Sequence, residues 1–283
     1  MIPIHYISTG TVRFKEAHRT LKGWRHIRFL RIMYGRKMTE PLPVGCYVIE
    51  HPEGVIIFDT GELAAAQDTL QYYACSHTLS WLIASHGILE YEIAPEQQLD
   101  QQLLALGIHP ADVRWVVLSH LHVDHCGGIG LFPNAEFIVN ADEYRNALNG
   151  INGAAPCLWP EGWRPTPIRY EHGDFGPWGE SYRLTEAGDV VLVPTPGHTA
   201  AHQSMILRDG DFSFFFAGDL TFDEGQLQRK TLAGIIEKFE PARRSIDKAR
   251  SYIKRRPTVY LPSHDPDSSR RLAEGIITEI QGK

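Results

Sequence analysis

The segment from His120 to His125 contains three histidines and one aspartate, all of which can bind a metal ion. It follows the apolar run 113–118, which is typical of a strand covered on both faces. Side chains at i and i+2 of an extended segment project to the same side, so His120 and His122 can bind one ion together. Asp124 and His125 lie on the turn beyond and can serve a second. Burying four such groups without a partner would be costly, and the segment therefore predicts a metal site.

Further polar motifs come directly after other predicted strands. They are Asp59-Thr60-Gly61 after the hairpin 44–50 and 55–58, Gly197-His198 after 190–193, Gly218-Asp219 after the hairpin 203–208 and 212–217, and Ser263-His264 after 258–261. The residues His51-Pro52-Glu53-Gly54 and Asp209-Gly210 supply the turns of those two hairpins. The strands are thus expected to bring polar residues from both halves of the chain to one edge of the fold.

Helical segments alternate with these strands. Pro95 opens one helix whose apolar positions share a face, and others are predicted near Ala141, over 241–255 and at the C-terminus. Residues 62–94 have no clean period and are interpreted as a helical or loop insertion, and 150–180 as an ordered loop. Helices on both outer faces of two packed sheets would satisfy this pattern. It predicts an α/β fold, with 1–283 forming one domain.

The composition argues against several classes of function. The 283 residues carry 28 Lys and Arg against 34 Asp and Glu, a formal net charge of −6. This argues against a nucleic-acid partner and, more weakly, against an anionic membrane. No stretch approaches 18 apolar residues and the N-terminus lacks a secretory pattern, so a cytoplasmic protein without a membrane partner is expected. The basic stretch 243–256 is interpreted as a solvated helix face.

The four cysteines are Cys46, Cys75, Cys126 and Cys157, and no C-x-x-C pair occurs among them. Their spacing predicts neither a disulfide framework nor a cysteine-rich zinc site. We interpret three of them as small buried residues or inert thiols. Cys126 directly follows the histidine cluster and is expected near the metal site without being a ligand.

The order and identity of these motifs resemble the metallo-β-lactamase superfamily. Its signature H-x-H-x-D-H stands here as His120, His122, Asp124 and His125, and its later elements as Gly197-His198-Thr199, Gly218-Asp219 and Ser263-His264. Asp59-Thr60-Gly61 resembles the early Asp-Thr-Gly turn of the family. The match runs from about 44 to 265, nearly the whole chain. The resemblance implies an αββα four-layer sandwich with its metals at one edge.

The resemblance also implies a dinuclear centre. The first metal would be held by His120, His122 and His198, the second by Asp124, His125 and His264, and Asp219 would bridge the two. Nitrogen and oxygen ligands without a thiolate suit zinc, manganese, cobalt or iron, and we favour two zinc ions. Oxygen-reducing di-iron relatives typically carry an acid where this chain has His122, which argues against that class. Seven ligands also exceed the four that a structural zinc needs.

Such a centre points to hydrolysis. Two metal ions about 3.5–4 Å apart can share a water molecule and lower its pKa. The bridging hydroxide would attack a carbonyl while the ions stabilise the developing oxyanion and the leaving oxygen. Asp124 is the catalytic candidate that moves the proton to the leaving group. Hydrolysis of an ester, lactone, thioester, amide or phosphoester fits this chemistry.

Within the superfamily the chain is most similar to the N-acyl-homoserine lactonases, the quorum-quenching branch. This similarity implies a hydrolase that opens a lactone ring. The 62–94 insertion is expected to cover the active site, and its apolar residues Leu79, Trp81, Leu82, Ile83, Ile88 and Leu89 would form a wall that suits an acyl chain. Those enzymes commonly carry a tyrosine three residues after the bridging aspartate. Here that position is Phe222, the candidate substrate contact, which cannot donate a hydrogen bond. Tyr72, Tyr73 or Tyr91 could supply the missing hydroxyl.

Several alternatives stay open on the sequence. One is another metallohydrolase of this fold: a thioesterase, a carboxylesterase, another lactonase, a β-lactamase or an RNA-processing nuclease. An iron-dependent redox enzyme is a second, and a non-catalytic binding module is a third. The acidic charge disfavours the nuclease, and a binding module would be expected to have lost some ligands. The apolar residues of 62–94 could equally serve core packing or a homodimer contact.

Overall fold

The computed structural model describes residues 2–20, 25–149 and 153–281, and within them two β-sheets face each other. The strands of the larger sheet are β1 (Ile4–Phe14), β2 (Leu42–His51), β3 (Gly54–Phe58), β4 (Leu89–Glu92), β5 (Val113–Val117), β6 (Glu136–Asn140) and β7 (Thr166–Ile168). Those of the smaller sheet are β8 (Tyr182–Arg183), β9 (Val190–Pro194), β10 (Gln203–Asp209), β11 (Phe212–Gly218) and β12 (Thr258–Pro262). Their spatial orders are β4-β1-β2-β3-β5-β6-β7 and β12-β11-β10-β9-β8.

Helices flank both sheets. They are α1 (Glu16–Arg19), α2 (Arg25–Tyr34), α3 (Thr69–Tyr72), α4 (His77–His86), α5 (Leu99–Ala105), α6 (Val123–Cys126), α7 (Ala141–Leu148), α8 (Glu224–Arg229), α9 (Phe239–Ile253) and α10 (Ser268–Glu274). No helix in the described ranges is long and apolar enough to cross a membrane.

Alternating side chains of the strands divide the core into layers. Tyr47 and Phe216 belong to the apolar cluster between the sheets, whereas Val48 faces outward and packs with α5. Phe215 likewise faces outward and packs with Ile246 of α9. This alternation is the period of two expected of strands buried on both faces. The predicted αββα sandwich is confirmed.

The strand directions explain why the polar motifs meet. In the larger sheet β3, β5 and β6 run parallel, and in the smaller sheet β9, β11 and β12 point the same way. The carboxyl ends of these strands therefore lie at one edge, and backbone bonds join the sheets there. Gln203 donates its N–H to the Ser119 carbonyl at 2.9 Å, and Gly45 donates to the Ser263 carbonyl at 3.0 Å.

The 62–94 insertion departs in part from its prediction. Its middle is helical, as expected, in α3 and α4. Its end is not, because Leu89–Glu92 forms strand β4, which pairs antiparallel with the long strand β1. Four residues that alternate between buried and exposed are too few to stand out as a strand in the sequence. Pairing with β1, itself missing from the prediction, is what makes them one.

The cysteine prediction is wrong for two of the four residues. Cys75, between α3 and α4, forms a disulfide with Cys157, and their Cα atoms lie 6.0 Å apart. The two residues are separated by 82 positions, so their spacing carries no signal of the pairing. Cys46 is free and buried, as predicted, and Cys126 is free and buried as well.

A buried carboxyl fixes the start of the insertion. Glu62 is 1% exposed, and its side chain accepts hydrogen bonds from the Tyr73 hydroxyl and from the backbone N–H of Leu63. Burial is the main cause that raises the pKa of Glu62 to about 8. The carboxyl is therefore neutral in the folded protein near pH 7.

We expect Glu62→Gln to flatten the pH dependence of stability between about pH 4.5 and 8. In this window the folded chain keeps a proton on Glu62 that the unfolded chain has lost, so the free energy of unfolding of the wild type falls as pH rises. A neutral amide removes this contribution. Urea unfolding at pH 5, 6.5 and 8 measures the slope, with the exposed Glu96→Gln as the control. Equal slopes for wild type and Glu62→Gln would contradict the assignment.

Candidate metal centre

The 120–125 segment is held by the turn after β3. Backbone N–H groups of Thr60 and Gly127 donate to the carbonyls of His125 and Gly61, at 2.8 and 2.9 Å. His122 precedes the short helix α6, which carries Asp124 and His125. The segment therefore bends directly after β5, and its four polar side chains can point to the same edge.

The structure brings all seven predicted ligands together. They form three groups, within each of which one ligand atom per residue lies within 4.8 Å of the others: His120, His122 and His198; Asp124, His125 and His264; and His120, His125 and Asp219. The first two groups are the two predicted ligand sets. The third connects them through Asp219.

Asp219 divides its carboxylate between the two sets. Its Oδ2 lies 3.3 Å from Nε2 of His198, and its Oδ1 lies 3.4 Å from Nε2 of both His125 and His264. Asp124 faces the second set alone, with Oδ2 at 3.5 Å from Nε2 of His264. A single carboxylate thus reaches both sides of the cluster.

Most of the histidines are oriented by a bond at Nδ1, which leaves Nε2 for the centre. The Nδ1 partners are Ser119 Oγ for His120 at 2.9 Å, Asp59 Oδ2 for His125 at 2.8 Å, the Ile235 carbonyl for His198 at 3.1 Å and the Pro43 carbonyl for His264 at 2.8 Å. His122 differs, since its Nδ1 lies 3.0 Å from Nε2 of His198. Such bonds are typical of histidines that bind metals.

The atoms that point inward fit a cation. Among the described residues, Nε2 of His120, His125 and His264 and Oδ1 of Asp219 are buried without a hydrogen-bond partner. Buried polar atoms nearly always have a hydrogen-bond partner, so four unpaired atoms in one cluster require an explanation. Imidazole nitrogens and carboxylate oxygens are good ligands of divalent first-row metals, and such an ion would satisfy all four.

Burial and neighbouring charges set the protonation of the cluster. Burial, reinforced by the surrounding histidines, lowers the pKa of His120 and His198 well below the usual value and that of His122 to about 3. Burial also disfavours charge on His125, but nearby carboxylates, led by Asp219, outweigh it and raise its pKa to about 10. The first set is therefore neutral and ready to bind, whereas His125 must release a proton.

Two residues that hydrogen-bond to the ligand side chains or their backbone were not identified from the sequence. His202 accepts a hydrogen bond from the backbone N–H of Asp219 at 3.0 Å, and its Nδ1 lies 2.8 Å from the Thr195 hydroxyl. Ser119 orients His120, and its N–H and hydroxyl both donate to Asp59. Neither residue belongs to a motif, and only the fold brings them to the centre.

A cavity of about 440 Å³ opens above the cluster. Its floor includes His122, Asp124, His198 and Asp219, and its walls include the apolar residues Met33, Leu79, Leu82, Ile88, Phe222 and Ile235. The ring of Phe222 lies 5.3 Å from that of His264. Trp81 of the insertion does not line the cavity but is 56% exposed.

The three tyrosines of the insertion differ in position. The Tyr73 hydroxyl is bonded to Glu62, and Tyr72 borders a separate small cavity beside Trp159. Tyr91 lines the large cavity together with Asp124. Its hydroxyl is buried and makes no well-formed hydrogen bond among the described residues, although the Tyr73 hydroxyl lies nearby.

Comparisons with known proteins agree with this geometry. The metallo-beta-lactamase superfamily pattern matches residues 39–264. The chain is 26% identical over 269 residues to N-acyl homoserine lactonase AttM of Rhizobium radiobacter, covering 94% of each. It is 26% identical over 239 residues to N-acyl homoserine lactonase AiiA of Bacillus thuringiensis subsp. kurstaki, covering 81% of this chain and 84% of the relative.

Solved structures show the same fold. An N-acyl homoserine lactone hydrolase with the product N-hexanoyl-L-homoserine bound at its catalytic metal centre has a TM-score of 0.73, with 23% identity and 94% of each chain covered. A dizinc quorum-quenching lactonase, AidC, has a TM-score of 0.65 at 16% identity, covering 94% of this chain and 88% of that one. The predicted similarity to the lactonases and the prediction of a metal-dependent hydrolase are confirmed. The chain belongs to the metallo-beta-lactamase superfamily.

Proposed function

We propose that this protein is a dinuclear metal-dependent hydrolase that opens the lactone ring of N-acyl homoserine lactones. The observation that carries the proposal is the position of Asp219, which reaches both ligand sets from the floor of an apolar cavity. The relatives that match most of the chain are named N-acyl homoserine lactonases, which supports this substrate class.

The proposed centre holds two ions. His120, His122 and His198 would hold one, Asp124, His125 and His264 the other, and Asp219 would contact both. Bound zinc ions would supply Lewis acidity and a water molecule of lowered pKa. The free Cys126 belongs to none of the ligand groups, so the donor set consists of nitrogen and oxygen, as zinc accepts.

Asp124 is the proposed proton carrier. Its side chain is 9% exposed and forms part of the cavity floor, so it can meet a substrate there. Attack by water on the lactone carbonyl releases a proton, and ring opening leaves an alkoxide that needs one. A carboxylate at this position can accept the first proton and deliver it to the ring oxygen. Asp124 would thus combine metal binding with proton transfer.

Tyr91 is the proposed donor to a substrate oxygen. Phe222 lies in the cavity but offers only its ring, which can pack against a substrate. Of the three tyrosines in the insertion, Tyr91 alone lines this cavity, and its hydroxyl makes no well-formed hydrogen bond among the described residues. A buried hydroxyl without a partner gains most from a ligand that supplies an acceptor.

The acyl chain would lie against the insertion. Leu79 and Leu82 of α4 and Ile88 beside β4 give the cavity an apolar wall, to which Ile235 and Met33 of α2 also contribute. A hydrocarbon chain bound there leaves water without burying a polar group. The segment 62–94 would in this way cover the active site and select acylated substrates.

The direct test is a pH-stat assay with N-acyl homoserine lactones, because ring opening releases a proton. We expect the wild type to consume base, to stop after chelator treatment and to recover with zinc. Asp219→Asn is expected to lower kcat by at least about 10²-fold, since it weakens charge stabilisation at both ions. Thioester, β-lactam and phosphodiester substrates serve as the panel. Turnover of one of these without lactone turnover would overturn the substrate assignment.

Asp59→Asn tests the two-ion arrangement. Asparagine tolerates the left-handed backbone of residue 59 (φ 59°) but cannot hold the His125 imidazole as a carboxylate does. We expect the affinity for one of two zinc ions to fall about 10–100-fold, measured by equilibrium dialysis and metal analysis. Asp189→Asn, which alters a carboxylate paired with His51 outside the cluster, is the control. Equal losses from both ions would argue against separate ligand sets.

Tyr91→Phe tests the proposed donor. Removal of one hydroxyl that stabilises a developing charge is expected to lower kcat/KM about 10²-fold, with the stoichiometry of bound metal unchanged. Tyr72→Phe, a matched change outside the cavity, should leave kcat/KM within about twofold. Unchanged turnover by Tyr91→Phe would remove this residue from the mechanism.

A further inference from the structure

Two helices beside the cavity expose an apolar surface. On α2, Ile27 is 47% exposed, Leu30 54% and Tyr34 69%, and on α4 Trp81 is 56% exposed. The ring of His86 lies 5.2 Å from Tyr34 and 5.0 Å from Trp81, so the two helices form one continuous surface. We call these four exposed residues, Ile27, Leu30, Tyr34 and Trp81, the rim face.

The rim face lies next to the cavity. The neighbours of its residues on the same helices, Met33 on α2 and Leu79 and Leu82 on α4, line the cavity wall. Positions 27, 30 and 34 share one side of a helix, as in an amphipathic helix. Each helix therefore presents apolar residues both to the cavity and to the outside.

The sequence segment that contains α2 has a net charge opposite in sign to that of the whole chain. Residues 13–37 contain nine Lys and Arg and a single acidic residue, Glu16, whereas the full chain has a net charge of −6. Residues 69–89, which include α3 and α4, contain no Asp, Glu, Lys or Arg. A basic segment thus adjoins an uncharged apolar one.

We propose that the rim face docks the protein on an anionic lipid surface. A helix with exposed Leu and Ile among basic residues, next to an exposed Trp, is the arrangement that binds in the interface of a bilayer. Basic residues are attracted to anionic headgroups, and the apolar side chains enter the boundary with the acyl chains. The net charge of the chain does not indicate such a partner, because acidic residues elsewhere in the chain outnumber the basic residues of this segment.

A second copy of the chain fits the surface less well. A symmetric dimer through the rim face would bring two segments of net charge +8 together, and like charges across an interface oppose association. An anionic surface instead complements both the charge and the apolar residues. Docking would turn the cavity wall toward the lipid. It would bring an acylated substrate dissolved in the lipid close to the cavity, and this consequence rests on the proposed function. The docking itself does not.

The test is sedimentation of the full-length protein with lipid vesicles. We expect binding to vesicles of phosphatidylcholine containing phosphatidylglycerol, little binding to phosphatidylcholine alone, and release as salt is raised to about 0.5 M. Leu30→Ser with Trp81→Ser should lower the partition coefficient at least about tenfold. Arg36→Gln with Lys37→Gln should lower it several-fold.

Matched controls lie on other helices. Leu148→Ser removes an exposed leucine of α7, and Arg244→Gln with Lys248→Gln removes two charges from α9; both should bind as the wild type does. Absence of binding to anionic vesicles, or equal losses in the controls, would overturn the proposal. So would a dimer in light scattering that Trp81→Ser converts to a monomer, because the surface would then belong to a second copy. Sedimentation needs no turnover, so either proposal can fail without the other.

Discussion

The buried carboxylate of Asp219 is the point on which the structure depends. Its two oxygens face histidines that follow different strands, and its own Oδ1 and the three Nε2 atoms of His120, His125 and His264 have no hydrogen-bond partner among the described residues. Unpaired polar atoms are costly to bury, so their side chains must be kept in this orientation by hydrogen bonds to residues outside the cluster. Oxygens of Ser119, Asp59, Ile235 and Pro43 do this by fixing one nitrogen of four imidazoles. Many of the hydrogen bonds at this edge of the fold therefore serve to orient the side chains of the ligand cluster.

The fold and the ligand cluster could be predicted from the sequence more completely than the residues that surround the cluster. Apolar runs that end in polar motifs predict strands and their convergence, because carboxyl ends of parallel strands meet at one edge. His202 and the disulfide between Cys75 and Cys157 had no such signal, because the partner of His202 lies 17 positions along the chain and the two cysteines are 82 positions apart. Strand β4 was missed for the same reason: it is short and is defined by its pairing with β1. Contacts made by the fold alone cannot be read from local patterns.

The net charge describes the chain as a whole and does not reveal how its charges are distributed. A formal charge of −6 argues correctly against a uniformly basic surface, yet nine basic residues fall within positions 13–37. Screening limits the range of exposed charges to about 10 Å, so a partner senses the local segment and not the sum. The cavity and the rim face share helices α2 and α4, which places this local field beside the proposed route of the substrate.

The link between Cys75 and Cys157 has a consequence for how the protein opens. One cysteine belongs to the insertion whose helix α4 and strand β4 contribute to the cavity wall, and the other lies in the segment that follows α7. Local opening normally occurs in separate cooperative units, each with its own free energy. Because the disulfide joins residues 82 positions apart, these two segments should open together. Amide hydrogen exchange in the cavity wall should therefore become faster when the disulfide is reduced.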